Sequence, residues 1–182
     1  VDVGCYHPFK GSLTAKLYQK NWRGINIDVS KTSIDLFNIA RKRDINLNCA
    51  ISDFNEKTFY FQNGMINQQN SLQKSSDDQI KVDINCYTLN TVLENNDFHD
   101  FDYLNVDVEG TELNVIKGIN FKKYKPKLIT IENNEMIPEE YFQSEIFKLL
   151  EQNNYVFVNK VGVTNFFLIK SLKNEISNLI KI

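Results

Sequence analysis

Short runs in which apolar and polar residues alternate recur along the chain, and between them apolar residues return every three or four positions. Alternation of period two marks strands and the longer period marks helices. Val1–Val3 reads as a strand closed by Gly4, and Leu13–Lys20 as a helix. "RGINIDVS" (23–30) is a second strand, with Ile25, Ile27 and Val29 apolar. Ser30 is placed to cap a helix over Lys31–Lys42, whose Ile34, Phe37 and Ile39 supply the apolar positions. "INLNCAIS" (45–52) is a third strand and "KTFYFQ" (57–62) an added β element. Residues 63–79 are polar, with Gln, Asn, Ser and Asp predominating, and read as a long loop, either a lid over an acceptor or a disordered excursion.

The second half repeats the theme. A strand is predicted over 80–89 and a short helix over Leu89–Glu94. "FDYLNVDVEGTE" (101–112) reads as strand, turn and helix start, and "PKLITIENN" (126–134) as a buried strand ending in Glu132 and Asn133. Glu139–Asn153 is helical, with Phe142, Ile146, Leu149 and Leu150 on one face. Residues 155–170 form a closing antiparallel hairpin, and Lys173–Ile182 a terminal helix. Strands alternating with helices predict an α/β fold with a mostly parallel sheet and helices on both faces. Residues 1–170 read as one domain and 171–182 as a tail. Val1 opens inside an alternating run without an initiator Met, so residues are expected to precede it.

Composition narrows the class. The 182 residues are 42% hydrophobic and 24% charged, with a net charge of −2. That balance argues against a general nucleic-acid or membrane-surface binder, and no apolar run is long enough for a membrane span. Cys5, Cys49 and Cys86 are odd in number, widely spaced and without zinc spacing. They read as free thiols, hence a cytoplasmic protein.

Ligands of parallel α/β sheets bind at the carboxyl ends of the strands. Those ends carry Asp2 and Gly4, Asp28, Ser52 and Asp53, Asp107 and Glu109, and Glu132 and Asn133. Gly4 admits a ligand close to the backbone. Asp28 follows 24 positions later, near the offset of about 20 at which an acid meets a ribose. The pair points to an adenosine-type cofactor. NAD is disfavoured because "GCYH" replaces the glycine-rich pyrophosphate turn, and Tyr6 joins the candidate cofactor contacts there.

Five ordered segments, "VDVGCYHPFKGSLT", "NWRGINIDVS", "RKRDINLNCAISD", "YLNVDVEGTELNVIKGINFKKYKPKLITIE" and "NNYVFVNKVGVTNFF", resemble the successive motifs of FkbM-type S-adenosylmethionine-dependent methyltransferases. The resemblance spans roughly Val1 to Ile169. It implies a Rossmann-like class I methyltransferase fold and O-methylation of a sugar, glycan precursor or natural-product hydroxyl. It also implies that Asp2 and Gly4 shape the methionine end of the cofactor site, that Asp28 binds the ribose, and that Ser52 and Asp53 lie near the adenine. Where the family often has Ser-Asn-Thr, this chain has Ser12-Leu13-Thr14.

Methyl transfer to a hydroxyl needs a base or a metal. His7, on the first loop, is a candidate base; alternatively it orders that loop. Asp107 and Glu109 are candidate catalytic acids. Asp107, Glu132 and Asn133 form a candidate magnesium set; otherwise Glu109 and Glu112 serve the N-terminus of the following helix. Trp22 reads as a packing anchor, and the basic clusters Arg41–Arg43 and Lys122–Lys127 as solvated faces. Two other readings stay open: a non-catalytic binding module and an NAD-dependent oxidoreductase. The oligomeric state is not legible.

Overall fold

A computed structural model describes residues 1–62, 70–73, 79–133 and 138–173. In chain order the elements are β1 (Asp2–Val3), α1 (Ala15–Gln19), β2 (Ile25–Asp28), α2 (Lys31–Ala40), β3 (Ile45–Asn48), β4 (Ala50–Ser52), β5 (Glu56–Gln62) and β6 (Ile80–Thr88). There follow α3 (Leu89–Asn95), β7 (Tyr103–Val106), α4 (Glu112–Lys117), β8 (Leu128–Glu132), α5 (Pro138–Gln143), α6 (Glu145–Gln152), β9 (Tyr155–Val161) and β10 (Thr164–Ile169).

Seven strands form one sheet in the order β3-β2-β1-β7-β8-β10-β9. The first five run parallel, and β10 is antiparallel to both β8 and β9. This mixed α/β architecture is consistent with a Rossmann-like methyltransferase. The C-terminal antiparallel hairpin β9–β10 stands as expected, turned at Gly162 with φ +59°. Val3, Ile27, Val106 and Ile131 sit side by side and are buried, as befits a parallel sheet covered on both faces.

One row of this sheet is polar. Asn46, Asn26, Asp2, Asn105 and Thr130 are consecutive partners across β3, β2, β1, β7 and β8. Thr130 donates to Asn105 Oδ1 at 2.7 Å, Asn105 Nδ2 donates to Asp2 Oδ1 at 2.9 Å, and Asn26 Nδ2 donates to Asn46 Oδ1 at 2.8 Å. Buried polar groups are tolerated only when paired in this way.

Three expectations are corrected. The run 45–52 is not one strand: it divides at Cys49, so that β3 joins the large sheet and β4 joins a small sheet of order β4-β6-β5. The helix 139–153 is two helices, because Ser144 stops the first and caps the second by accepting the Phe147 amide at 3.2 Å. Ile39 faces solvent at 71% exposure, whereas Ile34 and Phe37 pack inward below the Ser30 cap. Residues 174–182 of the expected tail helix lie outside the described residues, as do 63–69 and 74–78 of the long loop.

Candidate functional site

The order of strands reverses between β1 and β7, and the loops that leave these two strands meet there. Gly4 has φ +81°, and a Cβ at this position would fall 1.6 Å from the Asp107 carbonyl oxygen. Only glycine permits both the dihedral and the contact. Past Gly4 the backbone turns back on Asp28. Tyr6, itself at φ +50°, donates its amide to Asp28 Oδ2 at 2.8 Å, and Ser30 donates to Oδ1 at 2.7 Å. Burial outweighs these two donors and raises the Asp28 carboxyl to about 6. Each oxygen keeps one further acceptor site.

The loop from Tyr6 to Thr14 is fixed from beneath. Arg41, expected on a solvated face, is 1% exposed. From the end of α2 its Nε and Nη2 donate to the Pro8 carbonyl, Nη2 to Ser12 Oγ at 2.8 Å, and Nη1 to Thr14 Oγ1 at 2.7 Å. Thr14 in turn donates to Asp2 Oδ2 at 2.6 Å. Both Asp2 oxygens are thus engaged inside the protein, one by Thr14 and one by Asn105. His7 Nδ1 accepts the amides of Phe9 at 3.1 Å and Lys10 at 3.0 Å. With its lone pair so engaged, this imidazole orders the loop, and His7 does not line the cavity described below.

On the β7 side, the Asp107 carboxyl is pushed up to about 8, first by burial and then by Glu132, with which it shares a side-chain hydrogen bond. The Glu109 carboxyl is also raised, by burial and by the charges of Glu132 and Glu112. Glu109 sits in the left-handed region at φ +57°. Its strained turn is held twice. Glu112 Oε1 accepts the Gly110 amide at 2.9 Å, and Ser71 Oγ donates to the Glu109 carbonyl at 2.8 Å. Ser71 is itself bridged to Phe61 at the end of β5.

These elements enclose a cavity of about 320 Å³, within the range of small-ligand sites. Asp2, Gly4, Tyr6, Asp28, Asp107, Glu109 and Glu132 all line it. Ser52 and Asp53 do not: Ser52 is buried, hydrogen-bonded to Asp53 at 3.2 Å and near Asn114 Nδ2 at 3.5 Å. The wall nearest them in sequence is Cys49, Ala50 and Ile51, a displacement that follows from the break at Cys49. Lys10, Asn70, Ser71, Thr111 and Thr164 also contribute and were not singled out from the sequence. The three cysteines are free and buried.

Of the candidate magnesium set, Asp107 and Glu132 line the cavity and Asn133 is not among its lining residues. Among the described residues no group of three or more His, Cys, Asp or Glu is placed to hold a metal ion. Trp22 is corrected as well: at 44% exposure it is no packing anchor. No helix among the described residues is long and apolar enough to cross a membrane.

The cavity lies where the strand order reverses, at the carboxyl ends of the parallel strands, the place at which open α/β sheets bind ligands. The chain belongs to the FkbM methyltransferase family: the model of the methyltransferase FkbM domain matches residues 2–157, from β1 into β9. It is therefore a methyltransferase by family, and the typical methyl donor of such enzymes is S-adenosylmethionine. No curated protein and no solved structure matches the chain.

Proposed function

We propose that residues 1–170 form a cytoplasmic, S-adenosylmethionine-dependent O-methyltransferase domain of class I type, acting on a hydroxyl of a sugar, glycan precursor or natural product. The carrying observation is the charge of the cavity. Five acidic side chains line it, Asp2, Asp28, Asp107, Glu109 and Glu132, with one proton held between Asp107 and Glu132, against a single cation, Lys10, among the described residues. A sulfonium cation suits such a lining, and the pyrophosphate of NAD does not.

When bound, the cofactor supplies an activated methyl group to an in-line displacement. In this reading Gly4 and Tyr6 bring the first loop against the ligand and Asp28 accepts from ribose hydroxyls with its spare lone pairs. Ser52 and Asp53 hold the Cys49–Ile51 wall beside the base rather than touching it. Asp107 and Glu132 hold one proton between them, so one carboxylate remains to take the proton of the acceptor hydroxyl. Glu109 adds negative charge beside them. The hydroxyl proton would end on the carboxyl pair of Asp107 and Glu132 when the methyl group is transferred. His7 keeps the loop in shape.

The test is calorimetric titration with S-adenosylhomocysteine and with NAD, followed by transfer of labelled methyl from S-adenosylmethionine to a panel of hydroxylated acceptors. Saturable binding of the first ligand alone, with label in an ether product, is expected. Binding of NAD alone, or label found only on nitrogen acceptors, would refute the reading.

A further inference from the structure

Lys10 stands out within the cavity. It is the lone cation among the described lining residues, yet its ammonium makes no ion pair or hydrogen bond with any described residue. Its backbone, by contrast, is anchored. The Lys10 amide is held by His7 Nδ1 at 3.0 Å. On either side, Arg41 grips the Pro8 carbonyl and Ser12 Oγ. A buried arginine spends its fork on keeping a short loop in one place. That loop places Lys10 on the lining of a space whose other charged residues are all acidic. A charge so placed has a use if the ligand itself is of mixed sign. The positive groups of such a ligand face the acids, and its one negative group needs a partner elsewhere.

Resting on the cofactor reading above, we propose that Lys10 is the binding partner of the carboxylate on the amino-acid end of the methyl donor. The same charge argument assigns the donor's ammonium and sulfonium to the acidic part of the lining. His7 and Arg41 then act as positioning residues for Lys10: neither touches the ligand, and both fix the loop from which the lysine reaches it. The interaction is made equally by donor and product, since both keep the carboxylate. It therefore contributes to affinity and not to the chemical step.

The experiment compares two ligands that differ in the amino-acid moiety. S-adenosylhomocysteine carries it, and 5′-methylthioadenosine lacks it. Affinities are measured by titration for the wild type and for Lys10→Ala, Lys10→Glu and Lys10→Arg. Loss of one charge-assisted contact is expected to weaken S-adenosylhomocysteine about tenfold in Lys10→Ala. Lys10→Glu should weaken it further and Lys10→Arg should restore most of it. Binding of 5′-methylthioadenosine should be the same in all four proteins. Wild-type affinity for S-adenosylhomocysteine should fall with added salt more steeply than that of Lys10→Ala. Unchanged S-adenosylhomocysteine binding in Lys10→Ala and Lys10→Glu overturns the proposal, as does an equal loss for both ligands. If the wild type binds neither ligand, it is the cofactor reading that fails.

Discussion

The two ends of the seven-stranded sheet are held by different physics. From β3 to β8 a polar row crosses the sheet, buried from Asn26 to Thr130, with hydrogen bonds joining Asn26 to Asn46 and linking Asp2, Asn105 and Thr130. Beyond β8 the contacts are between rings. Phe167 lies 5.7 Å from Phe157, 5.9 Å from Phe147 and 6.2 Å from Tyr141, centroid to centroid. Apolar packing is indifferent to direction, whereas hydrogen bonds fix atoms in place. The cavity draws its walls chiefly from the polar end, with only Thr164 lining it from the hairpin. Stability and precision are thus supplied by separate parts of one sheet.

The sharpest way to break the comparison is to injure each end in turn. Phe167→Ala leaves a hole among three aromatic neighbours, Tyr141, Phe147 and Phe157, and is expected to lower stability by about 4 kcal/mol. At a temperature where the variant is still folded, its affinity for S-adenosylhomocysteine should match the wild type. Urea unfolding and titration together read both numbers. Arg41→Met is the converse injury. It strands the Pro8 carbonyl and the hydroxyls of Ser12 and Thr14, at a cost of about 3 kcal/mol, and should weaken ligand binding in the surviving folded protein. Equal effects of the two variants on binding would show that the ends are not separable.

A pH series sharpens the contrast. Asp107 rises from 3.8 to about 8 in the fold, so the native state keeps a proton that the unfolded chain releases near pH 4. Native protein binds more protons than unfolded protein in that window. Stability therefore falls as pH climbs from about 4 toward about 8, by at most about 1.4 kcal/mol per unit for one proton. Asp107→Asn has no proton to lose and should flatten this slope. An unaltered slope would show that the carboxyl is ionised in the native state. The smallest expected effect is that of Ser71→Ala. It removes one hydroxyl that donates to the Glu109 carbonyl and should cost about 1 kcal/mol, with faster amide exchange at Glu109 and Gly110 than at Tyr6.

Much of this was legible in the chain. Alternation located the strands of the large sheet, and the acids Asp28, Asp107 and Glu132 were correctly placed at strand ends because a strand's end is a local property. What escaped were the facts that depend on which strand lies beside which. "INLNCAIS" keeps an apolar residue at every second position, 45, 47, 49 and 51, and nothing in it announces that Cys49 carries the chain from one sheet to another. Ser52 and Asp53 were accordingly set inside a cavity that they only border. Arg41 was grouped with Lys42 and Arg43 because charge along a sequence says nothing of depth, and its four acceptor contacts come from residues about thirty positions away. The polar row was hidden for the same reason. Asn26, Asp2 and Asn105 fall on the polar positions of alternating runs, and only register reveals them as neighbours in the interior.

The pairing of β1 with β7 has a consequence for how the protein is assembled. Asp2 and Asn105 are 103 positions apart, and the contact of Gly4 with Asp107 spans the same interval. Closing so long a loop is slow, since its entropy is lost before any of its contacts are gained. The hairpin β9–β10 and the β5–β6 pair close over far shorter spans and form early by the same reasoning. The cavity is bounded by the seam that zips last. Ligand capacity should accordingly emerge in the slowest phase of refolding, after most secondary structure is in place, and binding becomes a readout of completion that no measure of helix or strand content can replace.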